Sequence, residues 1–302
     1  MKSIRIGTRN SALALWQARE VARHLQNSNY LTEIVPIVSS GDKNLHQPLY
    51  ALGITGVFTR DLDIALLNDE IDIAVHSLKD VPTNLPENLE IVAYLERDYP
   101  QDVLIRKESA RDKEFHELKL ATSSLRRRAF WLKNFPNAEF SDIRGNIQTR
   151  LKKLEEGDFD ATILSLAGIK RMKMDIDYEM ISFMIPAPSQ GVIAVAGHSD
   201  KKEINEILGM INHKPTQICV EMERNFLNTL EGGCTAPIGA FAEIFDDQIR
   251  FKAALCSLDG KSCIATDENF IYNEEENFGK KFANVVLENG GKELMAEIKN
   301  QI

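Results

Sequence analysis

The chain has 302 residues, 43% of them hydrophobic, enough for two or three compact domains with cores of their own. Its 36 lysines and arginines are outnumbered by 45 aspartates and glutamates, a formal charge of −9, which excludes a bulk basic field for nucleic acid and makes any anion site local. No run reaches the roughly 18 apolar residues of a membrane span, and MKSIRIGTRN lacks the apolar core of a signal peptide, so a cytoplasmic protein with no membrane partner is expected.

Short β-branched runs alternate with amphipathic helical patterns from the start: SIRIGT, SALALWQAREVARHL, LTEIVPIV, GVFTRDLDIALLND and IDIAVHSL. That βαβαβ order predicts a mostly parallel sheet. After about Asp98 the pattern restarts with DVLIR, LKLATS, the helix SLRRRAFWLKNF, AEFSDIR, the helix NIQTRLKKLEE and DATILSL, a second α/β unit. VIAVAG (192–197) reads as one more buried strand, placed to cross back to the first unit. Beyond Pro215 come the helix TQICVEMERNFLNTL, strands around PIGAFAEI and IRFKAALCSL, and a last helix from about Glu274, the order of a small α+β domain. The implied division is 1–94 with 192–212, then 95–191, then 213–302. Cys219, Cys234, Cys256 and Cys263 form no Cys-x-x-Cys pair and have no histidine at ligand spacing, so neither a metal centre nor, in a reducing compartment, a disulfide framework is expected.

The arginines cluster at strand-to-helix turns. Strand SIRIGT runs into Thr8, Arg9, Asn10 and Ser11; LKLAT runs into Ser123, Ser124 and Arg126, with Arg127 and Arg128 following; in IRGNIQTR, Arg144 ends a strand, Gly145 turns, Asn146 can cap, and Arg150 sits one helical turn on. Such turns expose N–H groups at the positive end of a helix dipole, and arginine adds a bidentate carboxylate clamp. Plain helix capping accounts for each turn taken singly; the three together suggest a ligand with several carboxylates or phosphates between two α/β domains.

IDIAVHSLKDVP (71–82) delivers His76, Ser77, Lys79 and Asp80 to the end of a buried strand, where ligands of α/β folds collect. The plainer reading is a polar turn before Pro82, with Asp80 in a local Asx bond and His76 a hydrogen-bonded core residue. In LEGGCTAPIGAF a helix ends at Gly232, a natural left-handed stop, which leaves Cys234 in a loop with no side chain beside it at Gly233. A small buried structural cysteine is one reading; an attachment point that something bulky must approach is the other. There is no Gly-x-Ser-x-Gly elbow and no Gly-x-x-x-x-Gly-Lys loop.

Seven stretches in order, IGTRNSALALWQA, DIAVHSLKDVP, ATSSLRRRA, IRGNIQTRL, FDATILSLAGIKRM, PAPSQG and ERNFLNTLEGGCTAPIGA, resemble the porphobilinogen deaminase (hydroxymethylbilane synthase) family of tetrapyrrole biosynthesis, with HSLKDVP and LEGGC the most specific. The resemblance implies two type II periplasmic-binding-protein-like α/β domains plus a C-terminal α+β domain, working as a monomer. It implies a dipyrromethane cofactor held by a thioether, at Cys234, on which four porphobilinogen molecules are deaminated and joined head to tail. Asp80 matches the catalytic carboxylate, which stabilises the cationic ring formed when an azafulvene is attacked by the primer's terminal pyrrole. Lys79, Ser77, Thr122, Ser124, Arg126, Arg127, Arg144 and Gly145 match cofactor-binding positions, and Arg9, Ser11, Arg150, Arg171 and Gln190 match substrate-binding ones. Two positions depart from the family pattern: Thr55 stands where many relatives carry lysine, leaving the contacts of the 40–56 loop open, and Ser189 stands where a glycine often precedes Gln190. Two rival readings are a receptor that closes on an anion without chemistry and a nucleic-acid binder using SSLRRRAFWL. The first leaves Asp80 and Cys234 unexplained. The second conflicts with the net charge and with Phe130 and Trp131 lying at core spacing.

Overall fold

Strand β1 (Ile4–Arg9) and strand β3 (Ile73–Ser77) are largely buried on both faces, as central strands covered on two sides must be. Between them, helix α1 (Ala12–Asn27) buries Ala14, Ala18, Val21, Ala22 and Leu25, an i, i+4, i+7, i+8, i+11 stripe that packs on Ile4, Ile6 and Val75. Strand β2 (Thr32–Ile37) pairs parallel with β1. Helix α2 (Arg60–Leu67) covers the opposite face through Leu62, Ala65 and Leu66, and strand β4 (Leu89–Tyr94) closes the unit. The structure, a computed structural model, describes residues 3–38, 59–230 and 236–301.

The second unit contains β5 (Asp102–Arg106), β6 (Leu120–Ala121), helix α3 (Leu125–Asn134), β7 (Phe140–Ser141), helix α4 (Ile147–Glu156), β8 (Ala161–Ser165), the short helix α5 (Leu166–Arg171) and β9 (Glu179–Met180). Strand β10 (Ile193–His198) then returns to the first sheet. The two sheets repeat one plan: β2-β1-β3-β10-β4 in the first and β7-β6-β8-β5-β9 in the second. In each, parallel strands are followed by one antiparallel strand contributed across the linker, β10 against β3 and β5 against β8. This is the type II periplasmic-binding-protein arrangement, and it brings the carboxyl ends of β1, β3, β6 and β8 to a shared cleft. The expected strand AEFSDIR shrinks to two residues, Phe140–Ser141, because it pairs only with the equally short β6.

Helix α6 (Lys202–Gly209) leads into α7 (Lys214–Thr229), and α7 packs on an antiparallel meander of β11 (Ile238–Phe245), β12 (Gln248–Cys256) and β13 (Cys263–Phe270). Helices α8 (Phe278–Val286) and α9 (Lys292–Gln301) complete this core around Phe226, Phe251 and Phe282. Strand β13 was not expected from the sequence; CIATDENF is an edge strand facing solvent along much of its length and lacks a clean apolar face. The single last helix expected from about Glu274 is two helices, the first beginning at Phe278 and the second at Lys292. Cys256 and Cys263 are bonded as a disulfide, against the expectation of none: they are direct partners across β12 and β13, a pairing that only the hairpin register creates.

Candidate active site

Strand β3 ends in a 3-10 turn, Leu78–Asp80, fixed by the fully buried Leu78 side chain and by its N–H donating to the Val192 carbonyl at 3.0 Å. Anchored there, Lys79 and Asp80 project into the cleft. Asp80 lines two adjoining cavities. The larger is bounded by Lys79, Ser124, Arg126, Arg127, Arg144, Arg150 and Gln190, with Leu227 and Ala236 from the third unit. The smaller is bounded by Arg9, Ser11, Gln17, Thr59, His76 and Ser77. The Asp80 carboxylate makes no hydrogen bond to any described residue, so the Asx bond is not formed.

Five cations therefore face the larger cavity. Burial pushes the Lys79 ammonium down to about 8, with Asp80 opposing the shift, and its Nζ donates to Gln190 Oε1 at 3.1 Å. Burial, reinforced by the neighbouring Arg127 charge, lowers Arg150 to about 10, and its Nε donates to the Gly145 carbonyl at 2.9 Å. Arg144 Nη1 is buried with no acceptor among the described residues. Behind these lies a carboxylate that the sequence reading missed. Asp102, 1% exposed, takes Arg127 Nε and Nη2 at 3.1 and 2.7 Å and pairs with Arg126 at 2.7 Å. Burial would raise the Asp102 carboxyl, but the two guanidinium groups outweigh it and hold it below the ordinary carboxylate range. Its only sequence signal is an acidic residue opening the strand DVLIR ahead of Val103, Leu104 and Ile105, and nothing local ties that residue to arginines two dozen positions later.

The three strand-to-helix turns do cap their helices. Ser11 accepts from Ala14 N, Ser124 from Arg127 N and Asn146 from Thr149 N, at 3.3, 3.4 and 2.8 Å. Capping and cleft lining coexist, since Ser11 and Ser124 also border the cavities. Gly145 holds φ +121, a conformation closed to most side chains, which lets Arg144 and Arg150 converge. Ser77 accepts from Gln17 Nε2 at 2.8 Å and borders the smaller cavity, apart from the larger one where its matched role would put it.

The remaining residues singled out in the sequence are held in different ways. Thr122 is buried behind the site, its hydroxyl accepting the Ser124 N–H at 3.2 Å, and borders neither cavity. Arg171 borders neither cavity; its guanidinium is tied to Asp98 at 3.2 Å and to the Gly191 carbonyl at 2.6 Å, because α5 points it at the linker between the units. His76 is buried but Nε2 has no partner among the described residues, and burial, helped by Arg9, pushes it down to about 4, so it is a neutral wall of the smaller cavity. Ser189 has φ +66, which explains a glycine preference there. Phe130 and Trp131 are core residues. Cys234 and Thr55 lie outside the described residues. No group of three or more histidine, cysteine or acidic residues among the described residues is arranged to hold a metal ion, and no described helix is long and apolar enough to cross a membrane.

Comparison with known proteins identifies the arrangement. Residues 4–206 match the family model for the porphobilinogen deaminase dipyromethane cofactor binding domain, and residues 217–288 match that for the porphobilinogen deaminase C-terminal domain. The chain is 48% identical over 262 residues to a probable porphobilinogen deaminase of Methanocaldococcus jannaschii, covering 85% of this chain and 89% of that one. It is 39% identical over 305 residues to the porphobilinogen deaminase of Syntrophomonas wolfei, covering 99% and 100%, and 40% identical over 311 residues to that of Desulfitobacterium hafniense, covering 100% and 99%. The chain belongs to the porphobilinogen deaminase family.

Proposed function

We propose that this protein is a cytoplasmic, monomeric transferase that deaminates four porphobilinogen molecules and joins them head to tail on a dipyrromethane primer, releasing hydroxymethylbilane and ammonia. The observation that carries this reading is the Asp80 carboxylate, unpaired by hydrogen bonds among the described residues, on the wall shared by two cavities of which one is rich in cations. Each porphobilinogen bears an acetate and a propionate. An acidic protein that gathers Lys79, Arg126, Arg127, Arg144 and Arg150 in one cleft, with Arg144 Nη1 buried and lacking an acceptor among the described residues, supports a receptor for such carboxylates.

The same residues fit dipyrromethane, a pair of rings bearing four side-arm carboxylates. Lys79, Ser124, Arg126, Arg127 and Arg144 would hold its side-arm carboxylates, and Leu227 and Ala236, which flank the segment containing Cys234, border the same cavity and support attachment there. When bound, the cofactor would supply the terminal pyrrole carbon to which the first new unit is joined. Arg9, Ser11 and Ser77, on the smaller cavity, take the incoming monomer, with Arg150 reaching it from the larger one. Asp80, on the wall shared by the two cavities, would stabilise the positive charge that develops as ammonia leaves and would take up the proton released on condensation. A carboxylate about 4 Å from a unit positive charge at an effective dielectric of about 20 contributes on the order of 4 kcal/mol, close to three decades of rate. Domains 1–94 with 192–212 and 95–191 must separate as the product lengthens, hinging at their linkers.

Intact-protein mass spectrometry tests the reading. The active protein should exceed its sequence mass by two pyrrole units, and Cys234→Ser should abolish both the increment and turnover. An active protein of unmodified mass would refute it.

A further inference from the structure

Arg126 and Arg127 are consecutive on α3, so their side chains leave the helix about 100° apart and do not naturally face one target. Both nevertheless border the larger cavity, and both are nine-tenths buried. What draws them together is Asp102, the first residue of β5. Because β5 runs antiparallel to β8, with Asp102 opposite Ser165, this carboxylate lies at the carboxyl edge of β8, beside the cleft. Oδ1 takes two N–H groups of Arg127, and Oδ2 pairs with Arg126 Nη1. Backbone carbonyls complete the fixation: Ile185 takes Arg126 Nη1 and Ile163 takes Arg127 Nη1, each at 2.7 Å.

The same carboxylate reaches the other domain. Gln190 Nε2 donates to Asp102 Oδ1 at 3.2 Å and to the Pro100 carbonyl at 2.7 Å, which orients the amide so that Oε1 receives the Lys79 ammonium. One buried anion thus touches two cations directly and a third through a relay.

We infer that Asp102 is a positioning residue of this cleft, which aims the Arg126 and Arg127 guanidinium groups and, through Gln190, the Lys79 ammonium at the side-arm carboxylates of a bound pyrrole unit. A buried ionic network is a poor way to gain stability, since apolar packing of equal volume does as well or better. This one also fails to neutralise itself: one carboxylate faces two guanidinium groups and an ammonium, and the surplus positive charge is directed at the cavity. Removing Asp102 therefore has two opposed effects on anion binding. The local field becomes more positive, which strengthens attraction, and the donors lose their common direction, which weakens it. Fixed bidentate geometry is worth more than an added diffuse charge where the acceptors are planar carboxylates, so the loss of direction dominates.

The inference rests on the enzymatic reading, and the test separates the two. Apo-protein is titrated with porphobilinogen while intact mass reports the fraction of chains that gain the two-pyrrole increment. In Asp102→Asn, nearly isosteric and uncharged, the half-loading concentration should rise about tenfold or more. In a double-mutant cycle with Arg127→Gln the two effects should be markedly less than additive. A half-loading concentration that falls would make Asp102 a charge balancer, and one that is unchanged in folded protein would make it structural; either overturns the inference. Should Asp102→Asn fail to fold, Gln190→Met cuts only the relay. By removing an acceptor from the Lys79 ammonium, it should move the alkaline limb of loading to lower pH, and an unmoved limb rejects the relay. Failure of the wild-type chain to load at all refutes the enzymatic reading, and this inference with it.

Discussion

Asp80 and His76 are four residues apart at the end of one strand, yet burial gives them opposite tasks. Asp80 is half-buried and packs little, so its removal should leave the fold intact while taking away the charge that the reaction needs. Asp80→Ala is expected to melt within a few degrees of wild type and to turn over about a thousandfold more slowly in steady-state assays; near-normal turnover would unseat it. His76 is 5% exposed and neutral down to about pH 4, whereas a histidine in the unfolded chain titrates near 6.5. Between those values the unfolded chain binds the additional proton. Stability present above pH 6.5 is therefore lost as the pH falls toward 4, by roughly 2 to 3 kcal/mol for this residue alone at pH 4.5. His76→Gln should flatten that acid limb in urea unfolding at pH 7 and 4.5. An identical slope in both proteins would contradict the buried neutral state. Sequence pattern alone placed His76 inside the molecule, but whether its ring nitrogens found partners depended on neighbours from α1 and α2.

At the scale of elements, the strand-to-helix turn is the repeated device. Each of the three places a capping side chain and one or more arginines at a helix start, and the chain's own duplication sets two of them on opposite sides of the cleft. The third depends on Gly145. A Cβ built there would come within 2.5 Å of Thr149 Cγ2 and would have to adopt φ +121. Gly145→Ala should therefore cost about 1 to 3 kcal/mol and, by tilting the start of α4, raise the KM for porphobilinogen more than it lowers kcat, because Arg144 and Arg150 flank the turn. An unaltered KM would show that the two arginines are held by something else. All three turns were legible from strand-then-Ser/Asn-then-Arg order. Their double role was not, since capping and ligand binding draw on the same residue types.

The whole molecule is joined at one buried carboxylate. Glu223 of α7, fully buried, accepts Arg97 Nη1 and Nη2 at 2.8 and 2.9 Å, the Ser189 N–H at 2.6 Å and the Ala242 N–H at 2.7 Å. Arg97 belongs to one linker between the α/β units, Ser189 to the other, and Ala242 to the third unit, so a single side chain ties all three together. Glu223→Ala leaves the largely buried Arg97 side chain without its counter-charge and should cost about 3 kcal/mol, read from the urea midpoint. Replacing both partners, as in Arg97→Met with Glu223→Leu, should recover much of that loss. A single-mutant penalty under about 1 kcal/mol would mean that the tie is dispensable.

By itself the sequence determined what depends on local pattern and local chemistry: the β-branched runs and helical stripes of the two α/β units, the polar residues ending β3, the capped turns, and the motifs HSLKDVP and LEGGC that mark the family. Tertiary structure decided what depends on pairing across long separations. Asp102 meets Arg126 and Arg127 only because β5 enters the second sheet antiparallel, Arg171 turns from the cleft to the linker because of where α5 points, and Cys256 meets Cys263 only through hairpin register. A charged group advertises its presence in the chain, but the partner that spends or spares its charge is chosen by the topology that folds distant segments together.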